Sequence, residues 1–302
     1  MPTGRLPDFF IVGAPKCGTT AMYAYLRQHP QVFMPFHKEP LFFGSDLTHR
    51  YGRLTPDDYV ALFAEARPGQ RVGEASAWYL YSECAAREIH DAAPEAAIVV
   101  MLRNPVDVMY AQHSQLLFTR QEEIDDFGAA LAAEDDRLAG RRIPAGPLRR
   151  ENLYYRRMVA FADQLQRYLN IFGRDRVHVI IHEDLAADTP GEYRRLLQFL
   201  GVDPSFRTDF TRANENKRVR SRLLQRLIWD PPLLRRAIPL VRRHPWSHAL
   251  RARVLELNSR KGPRAALDPA LRAKLTAELA PQVERLERLI DRDLNRWTAS
   301  PA

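Results

Sequence analysis

Asp8-Phe9-Phe10-Ile11-Val12-Gly13-Ala14-Pro15-Lys16-Cys17-Gly18-Thr19-Thr20, followed by a helical pattern from Ala21 to Gln28, decides the fold. A short apolar run bounded by small residues reads as a buried strand, and the 3.6-residue spacing after it reads as a helix. Gly13, Ala14 and Gly18 let the backbone turn tightly and aim several amide N–H groups at one anion, to which the helix adds the positive end of its dipole. Thr19 and Thr20 are suited to cap that helix or to give hydroxyls to the anion. The loop departs from the nucleotide-triphosphate pattern G-x-x-x-x-G-K-[ST] because Thr19 stands where the lysine belongs and Lys16 comes earlier, which argues against ordinary ATP or GTP binding. A tight strand-to-helix turn without a ligand is the plain alternative.

Further strands are expected at Val72-Gly73-Glu74, Ile98 to Leu102 and Val177 to Ile181, with helical stretches at Cys84 to Ala92 and 153–170. Strands alternating with helices imply an α/β fold: a P-loop-like, central, mostly parallel sheet flanked by helices. In such sheets the binding loops gather at the C-terminal strand ends, where both Gly13 to Thr20 and Arg103 to Asp107 fall. Residues 119–150 mix charges of both signs with glycines and prolines and read as a mobile insertion over the cleft or a solvated connector. Beyond Ser221, apolar pairs interleaved with arginines suggest a helical basic region, either packed helices with solvated arginine faces or an amphipathic platform touching a lipid or acceptor surface.

Several segments together resemble the sulfotransferases that use 3′-phosphoadenosine 5′-phosphosulfate (PAPS). Pro15-Lys16-Cys17-Gly18-Thr19-Thr20 is similar to their 5′-phosphosulfate loop P-K-x-G-T-T, and Leu102-Arg103-Asn104-Pro105 to the strand end L-R-[ND]-P. Lys38-Glu39-Pro40-Leu41-Phe42-Phe43 resembles the K-E-P-x-F-F segment of the glycan-modifying and bacterial branches. His182-Glu183-Asp184-Leu185 and Phe199-Leu200-Gly201-Val202 match the E-D-L and F-L-G-[VL] landmarks in order. The resemblance spans residues 8–220 and implies a PAPS-binding α/β core there, with 221–302 a helical extension of the same single domain, 1–302.

The resemblance also implies roles. PAPS presents two separated anions, so Lys16, Cys17, Gly18, Thr19 and Thr20 are expected around the 5′ group and Arg103 on the 3′-phosphate, although Arg103 also suits an ordinary ion pair at a strand end. Lys16 would neutralise charge on the departing bisphosphate, with no metal expected. Glu39 is the candidate general base for an acceptor hydroxyl, against the plain alternative of a structural pair with a lysine or arginine; His113 and His37 follow it. Glu74-Ala75-Ser76 resembles the family's G-E-[KA]-[ST], which makes Ser76 a candidate acceptor contact or a residue orienting Glu39; His113 is a second candidate acceptor contact. Trp78 and Tyr79 after Ser76 read as core. Two departures stand out: Ala75 replaces a frequent lysine, and Ala111 replaces a serine that shares the 3′-phosphate in many relatives. Losing that hydroxyl costs about 1 kcal/mol, and Ser114, Gln112, or Lys217 and Arg220 in the late basic segment 214–221, are the candidate substitutes.

A net charge of +8 over 302 residues and a sequence pI near 9.7 fit an anionic ligand, acceptor or surface. No zinc-finger spacing or ribonucleoprotein motif supports nucleic acid as the partner. The two cysteines, Cys17 and Cys84, form no framework and read as reduced thiols, Cys17 as one whose thiolate the loop and Lys16 favour. Without an apolar leader or a membrane-length run, a cytoplasmic enzyme is expected. The reading is a PAPS-dependent transfer to a hydroxyl, less readily an amine, of a carbohydrate, lipid or secondary metabolite. A P-loop kinase or hydrolase, and a non-catalytic anion or nucleic-acid binder, are the alternatives.

Overall fold

A computed structural model describes residues 4–48, 52–144, 149–210, 217–219, 259–261 and 265–299. Its centre is a five-stranded, all-parallel sheet in the order β2-β3-β1-β4-β5, made of β1 (Phe9–Gly13), β2 (Val32–Phe33), β3 (Arg71–Ala75), β4 (Ala97–Leu102) and β5 (Val177–Ile181). All five residues of β1 and all six of β4 are buried, which is why both read as continuous apolar runs instead of alternating ones. Each fully buried Ile, Val or Leu among them contributes roughly 1.5–3 kcal/mol. Phe9 pairs with Gly73 on one side and Ala97 on the other, and Ile98 pairs with Val177, so β1 and β4 lie at the middle of the sheet.

The helices are α1 (Thr19–Leu26), α2 (Pro56–Ala61), α3 (Ala85–Ala92), α4 (Pro105–Thr119), α5 (Phe127–Ala132), α6 (Glu134–Leu138), α7 (Tyr155–Met158), α8 (Phe161–Phe172), α9 (His182–Ala187), α10 (Thr189–Leu200), α11 (Pro269–Ile290) and α12 (Asn295–Thr298). Four of them start by one chemical device, a capping side chain followed by proline in the first turn. Thr55, Asn104, Asp188 and Asp268 each accept a backbone N–H from the turn they precede. α3 and α11 pack on α8, and α1 meets α10 through the Tyr25 and Tyr193 rings. No helix among the described residues is long and apolar enough to cross a membrane.

Two expectations change. The helical spacing over 153–170 is broken at Val159 and Ala160, because the buried Glu134 carboxylate accepts the amides of Arg156 at 3.0 Å and Arg157 at 3.4 Å and fixes α7 as a separate turn. Within 119–150, the described part is neither a solvated connector nor a free flap. It carries α5 and α6, and Arg137 lies against Glu122 at 2.8 Å with both side chains fully buried. Tyr155 and the amides of Glu123 and Ile124 supply the remaining hydrogen bonds of that carboxylate. Of the basic C-terminal region, 221–258 lies outside the described residues, while α11 buries Leu275, Leu279, Val283, Leu286 and Ile290 against the core.

Candidate active site

The end of β1 passes directly into the loop at Ala14, whose amide donates to Met101 O at 2.7 Å and so ties the loop to the end of the neighbouring strand β4. Gly13 must be glycine here, since a Cβ would lie 2.5 Å from Leu80 Cβ and 2.9 Å from Ala77 O. Gly18 caps α1 at φ 94°, a left-handed conformation suited to glycine, and a Cβ on it would lie 3.4 Å from His182 Cδ2. The first bonds of α1 run from Ala21 and Met22 to Gly18 O. Among the described residues, the amides of Gly18, Thr19 and Thr20 take no intramolecular acceptor, leaving three donors at the positive end of the helix dipole. Cys17 differs from this expectation, because its amide turns back to Ala14 O at 3.3 Å. Its side chain is fully buried, and burial pushes the thiol far above its ordinary pKa despite Arg103 and Lys16 nearby. Cys17 is therefore a packed neutral thiol: burial outweighs the loop and Lys16 expected to favour its thiolate.

Lys16 reaches α4, where its Nζ donates to Gln115 Oε1 at 3.4 Å. Gln115 lies one helical turn after Ala111 on the same face, so the helix meets the loop through the face that lacks the expected hydroxyl. Ser114 is turned to another task, donating to Tyr110 O at 2.8 Å. Arg103 follows β4 directly. Its Nη2 lies 3.9 Å from Asp107 Oδ2, and its charge lowers the pKa of His182, whose ring burial already pushes down. Lys217 belongs to a short strand, Lys217–Val219, paired antiparallel with Ser259–Lys261; Arg220 lies outside the described residues.

Glu39 comes to the same end of the sheet on a loop held in unusual backbone, with φ 63° at Glu39 and 53° at Leu41. The loop is pinned at three points: Glu39 N donates to Ala75 O at 2.9 Å, Leu41 N to Ser76 Oγ at 3.2 Å, and Phe43 N to Tyr79 OH at 3.2 Å. Lys38 links the carboxylate to the phosphate loop, its Nζ lying 2.5 Å from Glu39 Oε1 and 3.4 Å from Thr19 Oγ1. Glu39 Oε2 accepts from Ala77 N at 3.0 Å. The lysine pair expected of a structural Glu39 thus exists, and it places the carboxylate next to α1.

Two acceptor-contact expectations are corrected. Ser76 is fully buried and serves the loop through Leu41, so it orients the segment carrying Glu39 instead of facing an acceptor. His113 is buried against Phe127 and Tyr155, with Nε2 2.8 Å from Ile124 O, and burial lowers its pKa; it is a core histidine. His37 is exposed beside Phe36.

Beneath the Glu39 loop lies Glu74, fully buried in β3. Tyr59 donates to its Oε2 at 2.7 Å and Tyr79 at 3.1 Å. Burial pushes this carboxyl up to about 7 against the hydroxyls of Ser76, Tyr59 and Tyr79, which favour its charged form; Glu39 adds to the upward push. Sequence reasoning did not single out Gln115, His182 or Glu183. The last two sit in the H-E-D-L landmark, which carried a signal without a role. Glu183 Oε1 accepts Asn104 N at 3.1 Å and braces the loop that bears Arg103.

The model of the Sulfotransferase family matches residues 7–206, which contain the phosphate loop, Glu39, Arg103 and the H-E-D-L turn. The chain belongs to the sulfotransferase family. Among sulfotransferases of known sequence it is 27% identical over 252 residues to Carbohydrate sulfotransferase 15 of Mus musculus, a match covering 66% of this chain and 44% of that protein. It is 30% identical over 199 residues to Heparan sulfate glucosamine 3-O-sulfotransferase 6 of Homo sapiens, covering 66% and 53% respectively. The chain thus spans about half the length of these two relatives. The crystal structure of a sulfotransferase from Alicyclobacillus acidocaldarius is 32% identical, with a TM-score of 0.73 over 98% of this chain and 100% of that one.

Proposed function

We propose that this sulfotransferase takes its sulfuryl group from PAPS and delivers it to a hydroxyl of a carbohydrate acceptor, releasing 3′,5′-bisphosphoadenosine. One observation carries the reading: a lysine-bearing anion loop and an arginine stand on adjacent strand ends joined by the Ala14–Met101 bond, with a carboxylate linked to the loop through Lys38. The residues fit such a donor. The Gly18, Thr19 and Thr20 amides and Lys16 would hold the 5′-phosphosulfate, and Arg103 the 3′-phosphate. Carbohydrate is preferred over lipid or secondary metabolite as the acceptor because the curated relatives are named for carbohydrate and heparan substrates. Family membership and the displaced lysine both weigh against a nucleotide kinase.

When bound, PAPS supplies the sulfuryl group and a bisphosphate leaving group. The acceptor oxygen bonds to sulfur as the sulfur–oxygen bond to the bisphosphate breaks, and the acceptor proton passes to the Glu39 carboxylate. Lys16 holds the charge that gathers on the departing oxygen, and preorganised help of this kind is worth a few kcal/mol. The Ala75, Ser76 and Tyr79 contacts fix the loop that aims Glu39.

The test combines bisphosphate binding by calorimetry with sulfate transfer from labelled PAPS to mixed glycans. Lys16→Ala is expected to lower transfer about 100- to 1,000-fold, and Arg103→Ala to weaken bisphosphate binding. Glu39→Gln should leave that binding nearly intact while lowering transfer on the order of 100-fold or more. Equal loss of bisphosphate binding in the Glu39 variant would make its role structural. Failure of the unmodified protein to bind the bisphosphate would overturn the donor assignment.

A further inference from the structure

The residues matching the family model end at 206, yet the helices after 265 return to the Arg103 loop and touch it or the helices beside it at three places. Arg272, in the first turn of α11, places Nη2 2.6 Å from Asp107 Oδ1. Trp297, buried in α12, offers its carbonyl to Asn104 Nδ2 at 3.4 Å, and Asn104 is the residue that caps α4. Arg296 reaches Asp184 Oδ1 at 2.6 Å, and Arg292 pairs with the other oxygen of the same carboxylate. Asp184 follows Glu183, whose carboxylate accepts the Asn104 amide. These contacts converge on Arg103 and its neighbours, and the buried apolar face of α11 anchors them to the core.

Asp107 is the point at which this arrangement bears on anion binding. It lies in the first turn of α4, four residues after Arg103, which stands just ahead of the capping Asn104, so the two opposite charges face one another across the start of the helix. Arg103 nevertheless stands 3.9 Å away, at the limit of an ion pair, while Arg272 takes Asp107 at 2.6 Å. Among the described residues Arg103 makes no closer ion pair. We infer that Arg272 is a positioning residue for the donor site: by engaging Asp107 it keeps that carboxylate from closing on Arg103, whose guanidinium then remains available to the 3′-phosphate. Through Asp107 the helix α11 thereby bears on the nucleotide site. The inference rests on the assignment of Arg103 to the 3′-phosphate.

The test measures affinity for 3′,5′-bisphosphoadenosine and for adenosine 5′-monophosphate, which differ in the 3′-phosphate alone. It uses the full chain, Arg272→Gln, Asp107→Asn, the double variant, and Arg285→Gln as a charge-matched control on the same helix that pairs with Asp163. Arg272→Gln is expected to weaken the bisphosphate about fivefold, the upper range for a partly exposed charge pair, and to leave the monophosphate within twofold. The double variant should recover bisphosphate affinity to within about twofold of the unmodified chain, since no carboxylate is left to capture Arg103, and Arg285→Gln should change neither ligand. If the bisphosphate is preferred by the unmodified chain and Arg272→Gln leaves that preference untouched, the inference is overturned while the Arg103 assignment stands. An equal loss for both nucleotides, or a loss that persists in the double variant, also overturns it. If the unmodified chain does not prefer the bisphosphate, the Arg103 assignment itself is lost, and the inference with it.

Discussion

Glu74 makes stability depend on pH in a way that a single isosteric change isolates. Its carboxyl is fully buried in β3, and the fold raises its pKa from 4.5 to about 7. Between those values the folded chain keeps a proton that the unfolded chain has released. Stability from this group is therefore complete below pH 4.5, declines as pH rises, and is lost once pH passes about 7. At roughly 1.4 kcal/mol per unit, the whole decline is ~3 kcal/mol. Glu74→Gln keeps an oxygen to accept from Tyr59 and Tyr79 but cannot ionise. Denaturant unfolding of both proteins at fixed ionic strength, from about pH 4.5 to about 7.5, yields a stability difference in which the other titrating groups largely cancel. That difference should move in favour of the variant by ~3 kcal/mol across the window. Tyr79→Phe removes one hydroxyl that favours the charged carboxylate, so in that background the decline should shift to higher pH. A difference that is flat with pH, or that grows in favour of the unmodified chain as pH rises, refutes the reasoning.

The buried Arg137–Glu122 pair gives a second test: Arg137→Met strands a buried carboxylate and should cost about 3–5 kcal/mol in denaturant unfolding, whereas Arg137→Met with Glu122→Gln should cost markedly less. A double variant as damaged as the single one would show that the loss is one of shape. Thiol labelling followed by mass analysis should modify Cys84, which is partly exposed, well before Cys17, which is buried and protonated. Comparable rates at the two sites would mean that the phosphate loop opens in solution.

How much of this site could be read in the sequence depended on whether a residue's role is local. β1, β4 and β5 announce themselves because parallel strands buried on both faces need continuous apolar runs, and each was expected within a residue or so of where it lies. The phosphate loop is equally local, because small residues and a helix start must be adjacent to build it. Two-residue β2 has too little sequence to register. The errors fall where a side chain's task is set by a partner far along the chain. Ser76 and His113 carry the chemistry of contact residues, but Leu41 and Ile124 claim their polar atoms and burial removes them from the cleft. Gln115 has no motif value of its own and gains importance only because Lys16 lies opposite it, and the motif that contains Lys38 does not tell that its ammonium reaches Thr19. The same logic explains residues 119–150, whose mixed charges suggest a solvated surface although Arg137 and Glu122 satisfy one another inside the protein. Composition therefore reported the presence of charge correctly and its location wrongly, since a charge becomes buried only when a partner is brought to it. Glu74 follows from that rule as its exception. Among the described residues no cation pairs with it, so the fold holds its carboxyl by hydroxyls, those of Tyr59 and Tyr79 among them, and lets it keep its proton, which is why this fully buried carboxyl under the Glu39 loop is the one whose charge should be felt as pH changes.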